Sequence, residues 1–275
     1  MFIIIRGFYT IAALLFATGS VIYFRDFTHR VPGPRRPRTM VVGYAILFQA
    51  IALAMYAVYM RQVPFQGLFQ GFSFAAFVLA ILFLTTTRVL ADERPIGIIV
   101  LPLVCIFQAV GIFTPLEYVA DPSLGSHPWF VLHAALGLFS YGAFVIAFAS
   151  AALFLVLHRQ LKTKRLGRFF ERLPSLDELD YLTCRSVVTG LVALTLSIAC
   201  GMVWTQVRTG RPLQGDPKEI ITLINWAIYA FYLHSHYYRN WRGRRASWIA
   251  IAGFVLLLFN FVLVTVLFSR THAYL

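Results

Sequence analysis

"PWFVLHAALGLFSYGAFVIAFASAALFLVL", residues 128–157, runs for thirty residues without an Asp, Glu, Lys or Arg. As a helix rising 1.5 Å per residue it would be about 45 Å long, more than the hydrocarbon thickness of a bilayer. A helix that is apolar on every side has no face to offer water, so it belongs inside a large core or a membrane. Seven further apolar runs of roughly twenty residues share the chain, and no 275-residue soluble domain has interior enough for all of them. The composition agrees, with 59% hydrophobic and 16% aromatic residues and a mean hydropathy of +0.74. The expected fold class is all-α, a polytopic integral membrane protein of about eight transmembrane helices, because helices satisfy their own backbone groups in lipid. The spans are expected near residues 3–24, 40–60, 70–90, 96–116, 128–157, 183–205, 217–238 and 246–268. The first is long, with one early Arg6 and no clear cleavage site after it, so it reads as a retained helix rather than a leader.

The chain has 24 Lys and Arg against 11 Asp and Glu, a formal net charge of +13. Such a balance suits nucleic acid as well as membrane, and the distribution decides between them. Eighteen of the 24 basic residues fall in the connections after spans one, three, five and seven, all of which lie on one side. Only Arg6, Arg61, Arg208, Arg211, Lys218 and Arg270 remain for the other side. The positive-inside rule makes the rich side cytoplasmic and puts both termini on the outer side. The longest inner connection, 158–182, is expected to carry a short amphipathic surface helix. Cys105, Cys184 and Cys200 form no Cys-x-x-Cys pair and read as buried spectators.

With the sides set, the histidines separate. His133 lies about a turn and a half into span five from its outer end. His272 follows span eight on the same side, and His127 is in the adjoining loop. His29, His158, His234 and His236 lie toward the inner side. Two histidines on different helices at one membrane depth suit bis-imidazole ligation of haem iron. An interfacial histidine is, as a rule, only a polar residue near water. Zinc is disfavoured, since no carboxylate or thiol stands beside His133 and His272 at ligand spacing.

The segment "LQGDPKEIITLINWAIYAFYLH", 213–234, opens on a helix start: Asp216 as cap, Pro217 at the first helical position, Glu219 at the third position of a capping box. The helix it starts would carry His234 about 27 Å from Asp216. Trp241 and Trp248 flank the inner interface as an aromatic belt does, and "NWRGRRASW" has topological anchoring as a sufficient role. Gly67 and Gly71 offer a GxxxG packing signal.

The stretches "HPWFVLHAALGLFSYGAF", "LPSLDELDYLTCRSVVTGL", "GDPKEIITLINWAIYAFYLH", "NWRGRRASWIAIAGFVLLLFNF" and "THAYL" occur in order and at compatible spacing. Together they resemble the cytochrome c assembly family, which includes CcsA/ResC, CcmC and HemX-like membrane proteins. The upstream "RQVPFQGLFQGFSFAAF" resembles the family's loop into an inner span. The resemblance covers residues 60 to 275, and divides the chain into an N-terminal two-helix region, 1–60, and an assembly-like transmembrane domain, 61–275. The family holds haem at an outer, tryptophan-rich surface between two histidines and presents it to apocytochrome c. The resemblance implies His133 and His272 as that outer pair, His234 as the histidine within the membrane, and Asp216, Pro217, Lys218 and Glu219 as the acidic turn. It implies haem b as cofactor, and membrane lipids, apocytochrome c and a second assembly subunit as partners, in the inner (plasma) membrane.

One departure bears on this. Where the family has a run of tryptophans before the acidic turn, this chain reads "WTQVRTGRPLQG", and Trp204 alone remains. The aromatic platform for a porphyrin is thereby reduced, as in some HemX-like members, and haem binding is expected to be weak or substoichiometric. Arg208, Arg211 and Lys218 are available to propionates through charge-assisted bonds, or simply solvate the loop. Two functions are expected: haem handling in cytochrome c-type biogenesis, or a HemX-like regulator or scaffold without haem transfer. A coupled transporter is disfavoured because the spans hold almost no acidic residues. An enzyme is not expected, because no nucleophile–base pair or paired carboxylates fall at one place.

Overall fold

The computed structural model describes residues 1–29, 35–60, 68–114, 127–164 and 172–260. These residues form eight helices: α1 Phe2–His29, α2 Arg35–Met60, α3 Leu68–Thr86, α4 Arg94–Phe113, α5 Pro128–Thr163, α6 Leu176–Thr209, α7 Pro217–Tyr238 and α8 Arg244–Phe259. Among the described residues there is no strand. Six helices, α1 to α6, are long and apolar enough to cross a membrane. The remaining two have evident reasons for falling short of that measure. α7 carries Lys218, Glu219, His234 and His236, and α8 is described over only 16 residues. The chain is an all-helical, multi-pass membrane protein.

The helices divide into two compact units. In the first, α1 packs on α2 and α4, and α3 on α2 and α4. Its interior is part apolar, with Ile5, Phe16, Val42, Leu79 and Val104 fully buried, and part polar. The Gln49 amide donates to the Ser73 carbonyl at 3.1 Å, the Gln108 amide to Gln49 Oε1 at 3.0 Å, and the Tyr9 hydroxyl to the Gln108 carbonyl at 3.0 Å. Inter-helix hydrogen bonds of this kind supply in lipid the specificity that hydrophobicity cannot. At one end of this unit Arg38 bridges Asp26 at 3.3 Å and Glu93 at 3.4 Å, with all three side chains buried. The sequence places Arg38 in a connection; it stands instead in the first turn of α2, because its charge is matched by carboxylates at the ends of α1 and α4. Arg172 donates to the carbonyls of Phe27 and Thr28 at 2.6 and 2.9 Å.

In the second unit α5 and α6 form the most extensive helix pair, joined by a bond from the Thr183 hydroxyl to Ser150 Oγ at 2.9 Å. α8 packs on α5 and α7, and α7 also on α6. Their core is Phe144, Ala147, Val187, Leu194, Tyr229 and Ala250. α6 begins well before the expected residue 183. Ser175 accepts from the Glu178 amide, Glu178 reaches back to the Ser175 amide, and this capping box starts the helix within the polar "SLDELD". The connection between α5 and α6 is shortened from both ends, since α5 runs on to Thr163. The surface helix expected within 158–182 is not seen in its described parts, and residues 165–171 lie outside them. Gly71 has open space around it, so the GxxxG signal makes no close approach there; Gly67 is outside the described residues.

Candidate functional site

His133 stands on α5 and meets α6 across Ser197 and Gly201. Its Nδ1 lies 2.8 Å from the Ser197 carbonyl oxygen. A carbonyl only accepts, so Nδ1 carries the proton, and in the neutral ring Nε2 is left with its lone pair. The Ser197 hydroxyl closes the pair by donating to the His133 carbonyl at 2.8 Å. Position 201 is glycine for a local reason: a Cβ there would come within 2.7 Å of His133 Nδ1. Metal-ligating histidines share this feature, one ring nitrogen donating to a carbonyl and the other left with its lone pair.

One turn farther along α6, Trp204 is buried against Phe130, ring centroids 5.1 Å apart, and the Arg208 guanidinium lies 5.6 Å from the Trp204 ring. The sequence puts Arg208 in a loop after span six. α6 in fact continues to Thr209 and ends on Gly210 at φ 75°, so Arg208 projects from a helix at the same end as His133. The turn that follows is tied back to the helix. The Thr205 hydroxyl donates to the Pro212 carbonyl at 2.7 Å, and the Thr209 hydroxyl to that of Arg211 at 3.3 Å. The Arg211 side chain itself is exposed.

α7 starts at Pro217, as the Asp-Pro pair requires. Asp216 accepts from the Lys218 amide at 2.8 Å rather than from that of Glu219. Glu219 departs from the expected capping box. It holds the preceding turn, accepting from the Gln214 and Gly215 amides at 2.9 and 3.0 Å. Gly215, at φ 74°, makes that turn possible. Lys218 lies within electrostatic reach of both Asp216 and His133. His133, Trp204, Arg208, Asp216 and Lys218 are thus gathered at one end of this helical unit.

Of the other expected residues, Arg211 belongs to the exposed turn beside that gathering and His234 stands apart from it. His272 lies outside the described residues. His234 is at the far end of α7 on its exposed side, stacked on Tyr238 at 5.2 Å. The buried histidine of α7 is His236, stacked on Tyr232 at 5.8 Å. Sequence reasoning passed over it, and also over Ser197, Gly201 and Phe130. The one signal available for Gly201 was its spacing of four from Ser197 on a helix that must approach its neighbour. Among the described residues no three His, Cys, Asp or Glu side chains come together as a metal site.

A family model described as Cytochrome C assembly protein matches residues 40–272. The chain belongs to the cytochrome c assembly protein family. It is 28% identical to Protein HemX of Brevibacillus brevis, over 94% of this chain and 95% of that one. It is 28% identical to the cytochrome c biogenesis protein CcsA of Chlamydomonas reinhardtii, covering 77% of this chain but only 60% of that protein. It is 29% identical to the inner membrane protein YpjD of Escherichia coli K12, over 64% of this chain. Among solved structures, the cytochrome c haem lyase CcmF superposes with a TM-score of 0.62 at 17% identity, over 93% of this chain and 46% of CcmF. That likeness establishes a shared fold.

Proposed function

We propose that this assembly-family protein handles haem in cytochrome c-type biogenesis, holding haem b at the outer face between His133 and His272. The observation that carries the reading is the His133 imidazole, with Nδ1–H fixed on the Ser197 carbonyl and Nε2 left for iron. When bound, haem supplies an iron that accepts imidazole nitrogen and two propionates that take cationic partners. His133 provides the nitrogen, Gly201 leaves room for its ring, and Lys218 and Arg208 offer charge to the propionates. Phe130 and Trp204 provide an aromatic wall smaller than a tryptophan run, which supports weak binding. The partners in this reading are apocytochrome c, a second assembly subunit and membrane lipids, and the site of action is the inner membrane. His234, on the exposed side of α7, is free to face such a subunit. The chain acts by holding and presenting haem, not as an enzyme; "lyase" is the name of the CcmF neighbour.

A second reading is favoured by a specific observation. The match to HemX extends over nearly the whole of both chains, and the tryptophan run is reduced to Trp204. In that reading the chain is a membrane regulator or scaffold without haem transfer.

The Soret spectrum of purified protein reconstituted with haem separates the two. Haem handling requires that His133→Ala and His272→Ala each shift the band and that the double variant lose specific binding. A double variant that binds haem as well as the parent leaves the regulator. Reporter fusions at residue 170 test the outer-face assignment independently, and activity only on the outer side would reverse it.

A further inference from the structure

The turn between α7 and α8 and the start of α8 border, with α5, an open pocket of about 760 Å³. Four arginines stand on this short stretch, Arg239, Arg242, Arg244 and Arg245, and Arg242, Arg244 and Arg245 line the pocket. Among the described residues none of the four takes part in an ion pair. The nearby carboxylate of Asp180 accepts from the Gly243 amide at 2.9 Å. The turn has a specific backbone geometry. The Trp241 amide donates to the Ser235 carbonyl at 3.0 Å, and Asn240 and Gly243 take positive φ angles of 53° and 66°. A Cβ at Gly243 would come within 2.9 Å of the Phe154 ring. Arg239 and Arg245 lie 5.5 and 5.6 Å from the Trp241 ring centroid.

A shallow surface groove with a volume of about 510 Å³ shares Trp248 with the first pocket. It lies between α7 and α8, lined by Ile224, Ile228 and Phe231 on one side and Ile249 and Ala252 on the other. From Trp248 to Ala252, and from Phe231 to Ile224, it extends along both helices away from the arginines. The two depressions adjoin at Trp248, one cationic and aromatic, the other apolar. Topological anchoring explains basic residues in this turn, but it explains neither the pocket nor its apolar continuation.

We propose that this site binds one anionic glycerophospholipid, its phosphodiester among Arg242, Arg244 and Arg245 and an acyl chain in the α7–α8 groove. Basic pockets at the ends of transmembrane helices take such headgroups, and guanidinium is the side chain best matched to phosphate oxygens. Charge selects the headgroup, and the apolar lining of the groove selects a ligand with a chain.

The test uses full-length protein, delipidated in detergent and titrated with phosphatidylglycerol or phosphatidylcholine, read by native mass spectrometry and by shift in melting temperature. The expected result is retention and stabilisation by phosphatidylglycerol, with phosphatidylcholine markedly weaker. The pair R242Q/R244Q should weaken phosphatidylglycerol by about thirtyfold, the loss expected of two basic contacts at a membrane surface. A252F fills the groove from its lipid side and leaves every charge in place; it should abolish retention while the parent melting temperature without lipid is kept. Equal retention of the two lipids, or unchanged retention in both variants, overturns the proposal. Binding of glycerol phosphate as tight as that of the lipid also overturns it, assigning the pocket to a free anion. A haem Soret change that follows A252F and R242Q/R244Q, with no lipid preference, assigns it to haem instead.

Discussion

The rings of Phe144 and Tyr229 lie face to face, centroids 3.7 Å apart and planes within 2° of parallel. Aromatic pairs left to themselves prefer offset or edge-on arrangements. Here the stack is clamped from both sides by glycines. A Cβ on Gly190 would come within 2.5 Å of Phe144, and one on Gly253 within 2.8 Å of Tyr229. Four helices thus meet through two rings and two missing side chains. Gly190→Ala and Gly253→Ala should each lower stability by about 1–3 kcal/mol through overpacking. Because both press the same stack, their effects should not add. Tyr229→Phe should cost nothing or stabilise, since the hydroxyl has no hydrogen-bond partner among the described residues. Thermal unfolding of purified protein in detergent measures all three.

The His133 site makes a sharper demand on Gly201. Alanine there displaces the imidazole from a position set by the Ser197 carbonyl. Gly201→Ala should weaken haem binding about as much as loss of a metal-positioning contact does, roughly 10- to 100-fold. Ser197→Ala keeps the carbonyl, removes only the hydroxyl, and should change haem affinity little. Equilibrium haem titration by absorbance distinguishes these outcomes, and equal effects of the two variants would contradict the anchoring role given to the carbonyl.

Asp216 caps α7 through the Lys218 amide. Asp216→Ala should lower stability by about 1 kcal/mol, and Asn should restore most of it. An Asn variant that melts like the parent yet fails to bind haem would assign the carboxylate a role with Lys218 beyond the cap.

Arg38 lies between Asp26 and Glu93 in a buried site. Arg38→Met leaves two carboxylates without that cation and should destabilise the first unit by about 3–5 kcal/mol. Adding Glu93→Gln should recover part of the loss, since one buried charge is removed. Protease resistance and melting temperature report both. Full additivity would mean that the two side chains do not interact.

The spans were legible because an uninterrupted apolar run has few alternatives in lipid, and α7 was legible at both ends because Asp-Pro and the polar Tyr238-Arg239-Asn240 mark them. Direction around a helix was not. In a helix apolar on most sides, periodicity carries little information about which face is buried; the resemblance points to His234, and nothing in the sequence marks His236 as the buried histidine of α7. The start of α6 escaped notice because "SLDELD" reads as a polar connection until Ser175 and Glu178 are seen to bond each other. Arg38 escaped for a similar reason: its partners Asp26 and Glu93 are 12 and 55 residues away, a pairing that no local pattern displays. The gathering of His133 with Lys218, Trp204 and Arg208 depends on how α5, α6 and α7 cross, which residue spacing alone does not encode.

The acceptor for His133 is a peptide carbonyl. The genetic code writes side chains, and no codon change at Ser197 deletes that oxygen. The tautomer of the imidazole is consequently insured against any substitution at Ser197 itself for as long as α6 remains a helix. What can be lost by a single nucleotide change is the clearance beside it, at Gly201. A methyl group on that neighbour is enough to displace the histidine while leaving it in the sequence.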